Sequence, residues 1–228
     1  MSAVALRAVR ERLARAAEGA GRRADDITLV GVSKTQPAEA VRQAYDAGLR
    51  DAGENKVQEA EGKIQALADL RPGLRWHLVG HLQANKARRA AALFDLIHSL
   101  DSLALAERLE RAAAEHGRRL DVLVQVDLAG EETKHGVPEQ GLHALLEFVR
   151  GLKSLRAVGL MVLPPLVDDP QASRPFFRRL RGLRDTALRD GLLLGDQLSM
   201  GMSHDFEVAI EEGATLVRVG TALFGARG

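Results

Sequence analysis

The chain has 228 residues, 46% hydrophobic and 28% charged, and its 32 Lys and Arg nearly cancel its 31 Asp and Glu to leave a net charge of +1. That balance, with one Trp, one Tyr and six Phe, speaks against a nucleic-acid or anionic-membrane binder, which would carry a basic excess and stacking aromatics. The absence of cysteine removes disulfides, thiolate metal sites, iron–sulfur clusters and a cysteine nucleophile, and it fits a cytoplasmic address.

Residues 2–20, rich in Ala, Leu and Arg, read as an amphipathic helix. A transit peptide is the lesser reading, because Glu11 and Glu18 interrupt the segment and no apolar stretch follows it. No apolar run reaches the roughly 18 residues of a membrane span; the longest, 157–167, is broken by Pro164 and Pro165. From residue 27 onward, aliphatic runs alternate with longer segments of helical period. Strands are expected at 27–33, 50–53, 75–80, 96–99, 121–127, 156–161, 197–200 and 215–219. Helices are expected near 37–47, 55–69, 83–93, 102–116, 138–150, 171–190 and 204–212, with Pro37 and Pro138 in first turns and Gly48, Gly117, Gly151, Gly191 and Gly213 just past helix ends.

This alternation specifies parallel βαβ units, and eight strands favour a single α/β (β/α)8 TIM barrel over an open doubly wound sheet. The G-x-G-x-x-G turn of a dinucleotide fold is also missing after the first strand. The chain stops soon after the eighth strand, so the N-terminal helix is expected to fill the slot of the missing last helix. Residues 1–228 are read as one domain.

In such a barrel, binding groups gather at the C-terminal ends of strands, with phosphate often held after the seventh and eighth. Lys34 ends the first strand in a chain that otherwise chooses Arg, with 6 Lys against 26 Arg. Two readings stand: a lysine snorkelling at the rim, or a desolvated amine able to form a Schiff base with an aldehyde. Gly201-Met202-Ser203 and Gly220-Thr221 offer backbone N–H groups and hydroxyls to an anion, yet Ser203 also reads as a helix cap and the glycines as tight turns. Arg218 lies inside the last strand and needs a partner, either a carboxylate such as Glu54 or Asp127 or a bound ligand. His77 and His81 have metal-like spacing, but no carboxylate cluster accompanies them in the sequence, so no metal site is assigned. Lys86, Arg88 and Arg89 read as a solvated helix face, and Asp168-Asp169 as turn or cap residues.

The segments VSKTQP, GENKVQE, WHLVGHLQANK, HSLDS, GLMVLPP and LSMGMSHDFEVAIEEGATLVRVGTALFG carry a resemblance over about residues 29–225. The chain resembles the YggS/PROSC family of pyridoxal 5′-phosphate (PLP) homeostasis proteins, related to the barrel domain of alanine racemase. The resemblance implies the type III fold of PLP proteins and PLP held covalently on Lys34. It further implies that Ser203, Gly220 and Thr221 hold the phosphate, that Arg218 faces the pyridine nitrogen, and that Asn55 and Met161 lie around the ring. Departures occur at Ala52 and Lys56, where the family often has an aromatic residue and a tyrosine, and at His81, where it often has proline.

Two functions follow from the resemblance: binding, buffering or delivery of PLP to apo PLP-dependent enzymes, or amino-acid racemisation. A racemase needs a second proton carrier on the opposite face of the cofactor. In alanine racemase this is a tyrosine from a further domain of the partner subunit. Here the chain ends at Gly228, and its one tyrosine, Tyr45, is expected on the first barrel helix, pointing away; His77 and His81 are the nearest substitutes. The homeostasis reading is therefore preferred, with no catalytic residue assigned and with a cytoplasmic monomer expected.

Overall fold

In the computed structural model the described residues are 3–130 and 135–225. The strands are β1 (Thr28–Val32), β2 (Asp51–Glu54), β3 (Arg75–Leu78), β4 (Leu96–Leu100), β5 (Leu120–Asp127), β6 (Val137–Pro138), β7 (Leu155–Met161), β8 (Gln197–Met202) and β9 (Leu216–Val219). They pair in the order β4-β3-β2-β1-β9-β8-β7-β5-β6, and a further β4–β5 pairing closes the ring. Every pairing is parallel. The two-residue β6 lies outside the ring, which leaves the eight-stranded barrel expected from the alternation.

The helices are α1 (Ala3–Gly19), α2 (Ala38–Asp46), α3 (Val57–Ala66), α4 (Ala87–Leu93), α5 (Leu103–Glu115), α6 (Glu139–Arg150), α7 (Arg174–Arg189), α8 (Phe206–Glu211) and α9 (Thr221–Phe224). Helix α1 buries Leu6, Val9, Leu13 and Ala17, a spacing of three or four residues that makes one apolar stripe. It packs against α8, α9 and α2, the slot assigned to it from sequence. Arg12 fastens it there, reaching Glu207 at 2.6 Å with its guanidinium 4.6 Å from the Phe206 ring centre.

Alternation along each strand sorts side chains into two cores. Outward residues such as Trp76 and Leu78 meet Phe94, Phe177 and Phe206 from the helix layer, all fully buried. Full burial of a large apolar side chain contributes roughly 1.5–3 kcal/mol. Inward residues Val30, Val32, Val79, Leu96, Leu123, Val158, Met161 and Leu216 form the apolar part of the barrel interior. The rest of the interior is polar, and its arrangement connects the floor of the barrel to the mouth.

The structure moves several expected boundaries. The strand expected at 197–200 runs on to Met202, through a register shift and a Gly201 at φ +89°. A side chain there would strike Ala209 Cβ at 2.6 Å and Phe206 Cα at 2.9 Å, so Gly201 is what lets α8 start against the strand end. The expected helix 204–212 shortens to six residues. The expected strand 75–80 ends at Leu78, because Gly80 turns tightly over Asn55. Pro37 and Pro138 stand at N-caps, one residue before the helices they were expected to open. After β9 the chain does make one helical turn, α9, where none was expected.

Among the described residues no helix is long and apolar enough to cross a membrane.

Candidate functional site

The first four residues after β1 form a sharp turn that presents Lys34. Ser33 is buried, Lys34 half-buried, and Thr35 adopts φ +64°, the left-handed region that a β-branched residue rarely occupies. A buried network holds this turn from outside the barrel. Lys63 Nζ, from α3, donates to the Ser33 carbonyl at 2.5 Å, to Glu54 Oε1 at 2.6 Å and to Glu59 Oε1 at 2.8 Å. Ser33 Oγ donates to Glu54 Oε1 at 2.5 Å, and the Thr35 amide donates to Glu59 Oε1 at 2.5 Å. The backbone on both sides of Lys34 is thus tied to the Lys63 ammonium and the Glu59 carboxylate, and Glu54 holds the Ser33 side chain. Burial pushes the Glu54 carboxyl above its ordinary value, with Lys63 and Ser33 pulling against it.

Lys34 lines one groove with Val32, Gln36, Gly220, Thr221 and Phe224. The Gly220 amide, in one wall of this groove, donates to Ser203 Oγ at 3.2 Å, as does the Ala222 amide at 3.4 Å. Ser203 therefore does not cap α8. The adjoining Asp205 Oδ1 accepts from the Met202 amide at 2.7 Å.

Arg218 lies buried beneath this wall. Its guanidinium donates to Ser199 Oγ and, at 2.8 Å, to the carbonyl of Val162, next to Met161. The expected ion pair with Glu54 or Asp127 is not what holds it: Glu54 belongs to Lys63, and Asp127 accepts from the amides of Ala129 and Gly130. Burial lowers the Arg218 pKa to about 10, partly offset by the charge of Asp205, so the group stays cationic at neutral pH. Asn55 stands half-buried at the top of β2, its backbone against Gly80. Of the departures, Ala52 is buried in the outer core and Lys56 is exposed.

From Arg218 a hydrogen-bonded column descends the barrel. Ser199 Oγ lies 2.8 Å from His98 Nδ1, His98 Nε2 lies 2.9 Å from His77 Nδ1, and His77 Nε2 lies 2.8 Å from Asp51 Oδ1. Arginine can only donate and carboxylate can only accept, so with both imidazoles neutral the bonds run one way: Arg218 to Ser199 to His98 to His77 to Asp51. Burial, with the charge of Arg218 adding to it, lowers the His98 pKa well below its ordinary value and keeps it neutral. Burial pushes the Asp51 carboxyl up, but hydrogen bonds from His77 and Arg75 outweigh that and hold it below its ordinary value. His77 has both ring nitrogens engaged at the floor of the barrel, where it also lines a polar cavity of about 710 Å³. It is therefore no proton carrier for the mouth.

The sequence reading treated His77 and His81 together and without carboxylates; the structure separates them and gives each one. His81, exposed at the mouth, has its Nδ1 3.3 Å from Asp101 Oδ2. Tyr45 faces away from the mouth as expected, packed under the Arg50 guanidinium at 4.2 Å. Lys63 escaped the sequence reading although the scarcity of lysine that singled out Lys34 applies equally to it. His98 and Ser199 left a weaker signal, as polar residues inside aliphatic strands.

Fold and site together define a barrel of the alanine racemase class: residues 4–228 match the family described as alanine racemase, N-terminal domain. The alanine racemase of Streptomyces coelicolor A3(2) shares this fold at 22% identity and a TM-score of 0.71, over 99% of this chain and 59% of that one. The pyridoxal phosphate homeostasis protein of Aquifex aeolicus is 48% identical over 96% of this chain and 95% of its own length. The structure of PipY from Synechococcus elongatus PCC7942 with PLP bound is 44% identical, with a TM-score of 0.84, over 95% of this chain and 100% of that one. The chain belongs to the family of pyridoxal phosphate homeostasis proteins.

Proposed function

We propose that this protein binds PLP at the barrel mouth and serves its homeostasis, holding and releasing the cofactor for apo PLP-dependent enzymes. The observation that carries the reading is the shared groove of Lys34, Gly220 and Thr221, beside which the Gly220 and Ala222 amides already converge on one oxygen, that of Ser203. Such paired amides suit a phosphate oxygen, and a primary amine beside them suits an aldehyde, so the donor set fits this cofactor. The relatives named for PLP homeostasis, and PipY with PLP bound, support the same reading.

When bound, PLP supplies an aldehyde that condenses with a primary amine and releases water. Lys34 offers that amine, and the network of Lys63, Glu54 and Glu59 holds its backbone. The hydroxyls of Ser203 and Thr221, with the amides of Gly220 and Ala222 that now donate to Ser203, would hold the phosphate. Arg218, which can only donate, would keep the ring nitrogen unprotonated, and Met161 and Asn55 would complete the pocket for the ring. Removal of an α-proton on one face and return on the other requires two carriers. His77 is committed to Asp51 and His98, Tyr45 to the outer layer, and His81 stands with Asp101 across the mouth from Lys34, an arrangement we read as favouring storage and exchange over racemisation. A monomer in the cytoplasm forms part of this reading.

Borohydride treatment of the PLP-loaded protein, followed by peptide mapping, tests the site. The cofactor is expected on Lys34, and an adduct confined to Lys56 or Lys134 would refute the assignment. Mixing the loaded protein with an apo PLP enzyme should restore that enzyme's activity. Rapid alanine racemisation at catalytic protein concentration would replace homeostasis with catalysis.

A further inference from the structure

Three loops on the barrel rim bring His81, Asp101 and His135 together, although up to 54 positions separate them in sequence. One ligand atom from each lies within 4.8 Å of the others. The rings of His81 and His135 stack at 3.5 Å between centres and 11° between planes, and Asp101 closes on His81 at 3.3 Å. These residues follow β3, β4 and β5. In the closed strand order that is the side of the mouth opposite β1 and β9, which carry Lys34 and Gly220.

The backbone beneath each is fixed. Gly80, next to His81, lies so close to Asn55 that a Cβ would stand 2.3 Å from the Asn55 carbonyl oxygen. Asp101 directly follows β4 and precedes Ser102, whose hydroxyl caps α5 by accepting from the Leu105 amide at 3.3 Å. The His135 carbonyl accepts from buried Gln125 at 2.5 Å, and Gly136 at φ +144° lets the chain fold back onto Asp127. The side chains, by contrast, are exposed or half-buried.

We infer that His81, Asp101 and His135 form a binding site for a divalent late-transition-metal ion of the zinc, cobalt or nickel kind. Two neutral imidazoles and one carboxylate carry a single negative charge and present the nitrogen-rich donor set that such ions prefer, whereas magnesium and calcium select oxygen. Bonds of about 2.0–2.2 Å from a tetrahedral ion bring its ligand atoms to about 3.3–3.5 Å apart, so on binding the side chains close by about 1 Å or a little more and the two imidazoles rotate out of their parallel stack, since each binds a metal in its own ring plane. Three protein ligands leave one position for water or an exogenous ligand, and the ion joins the loops after β3, β4 and β5.

The test is a calorimetric titration of the purified full-length chain, stripped with chelator and free of cofactor, with zinc chloride, repeated with cobalt chloride to read the visible absorption of the bound ion. One equivalent is expected, with a cobalt spectrum of low-symmetry, four-coordinate type. H81A, H135A and D101N should each weaken zinc binding by more than about tenfold. H143A, which removes the separate His143–Glu147 pair, should leave it unchanged. Far-ultraviolet circular dichroism checks that each variant is folded. Absence of a one-equivalent zinc site, or equal zinc affinity in the folded H81A/H135A double variant, would overturn the inference.

Discussion

The mouth and the interior of this barrel use polar groups in opposite ways. At the mouth, Lys34 and Ser203 are half-buried, Thr221 is exposed, and the turn at Thr35 occupies a disfavoured backbone region. In the interior, Arg218, Ser199, His98 and His77 are buried and chained into one directional column ending on Asp51. A buried polar group left without a partner costs far more than an exposed one, so the members of the column satisfy one another while the mouth can keep donors available for a ligand. The difference teaches where the barrel stores stability and where it stores function. The Lys63 network belongs to both, since it is buried yet ends on the backbone of the Lys34 turn.

Four measurements sharpen that contrast. Lys63→Met removes the cation from a buried pair and leaves Glu54 with Ser33 alone, which should lower stability by about 3–5 kcal/mol in urea unfolding. The same variant should react more slowly with PLP, because the turn carrying Lys34 loses its anchor. Ser199→Ala cuts the column, leaving His98 Nδ1 without its partner and Arg218 with the Val162 carbonyl alone, at a cost of about 1–3 kcal/mol. A loss below a few tenths of a kcal/mol would show that the column is dispensable.

The third measurement is pH dependence. His98 is neutral in the fold, with its pKa depressed, whereas the unfolded chain takes up a proton near pH 6.5. The unfolded state therefore binds more protons below that value. Stability should fall as pH drops through about 6.5, by up to about 1.4 kcal/mol per pH unit for this one group. His98→Asn should flatten the slope in that window whatever it does to the absolute stability. Burial raises the Glu54 value and works the other way, in the ordinary carboxylate range and above, so the His98 variant is needed to separate the two. The smallest effect on folding is expected at the mouth. Ser203→Ala should change stability by about 0.5 kcal/mol or less. It should nonetheless weaken PLP about ten- to a hundredfold, from a lost charge-assisted hydrogen bond of roughly 1.5–3 kcal/mol. Pyridoxal without phosphate should be little affected.

Much of the mouth was legible in the chain itself. Strand-helix alternation depends on local hydrophobic period, and the residues that end strands are fixed by it, so Lys34, Ser203, Gly220 and Thr221 could be placed at the C-terminal rim before any strand order was known. Arg218 could be placed inside a strand, but its partners could not be read. Ser199 and Val162 reach it only because β7, β8 and β9 are neighbours with a register shift between Ser199 and Met202. The column from Asp51 through His77 and His98 joins strands β2, β3, β4, β8 and β9, and the rim cluster of His81, Asp101 and His135 joins three loops. Both arise from barrel closure and the stagger of parallel strands. No periodicity within one segment encodes those relations, so the amino-acid sequence alone determined the barrel and the groups at its mouth, while only the tertiary structure decided which buried polar groups complete one another.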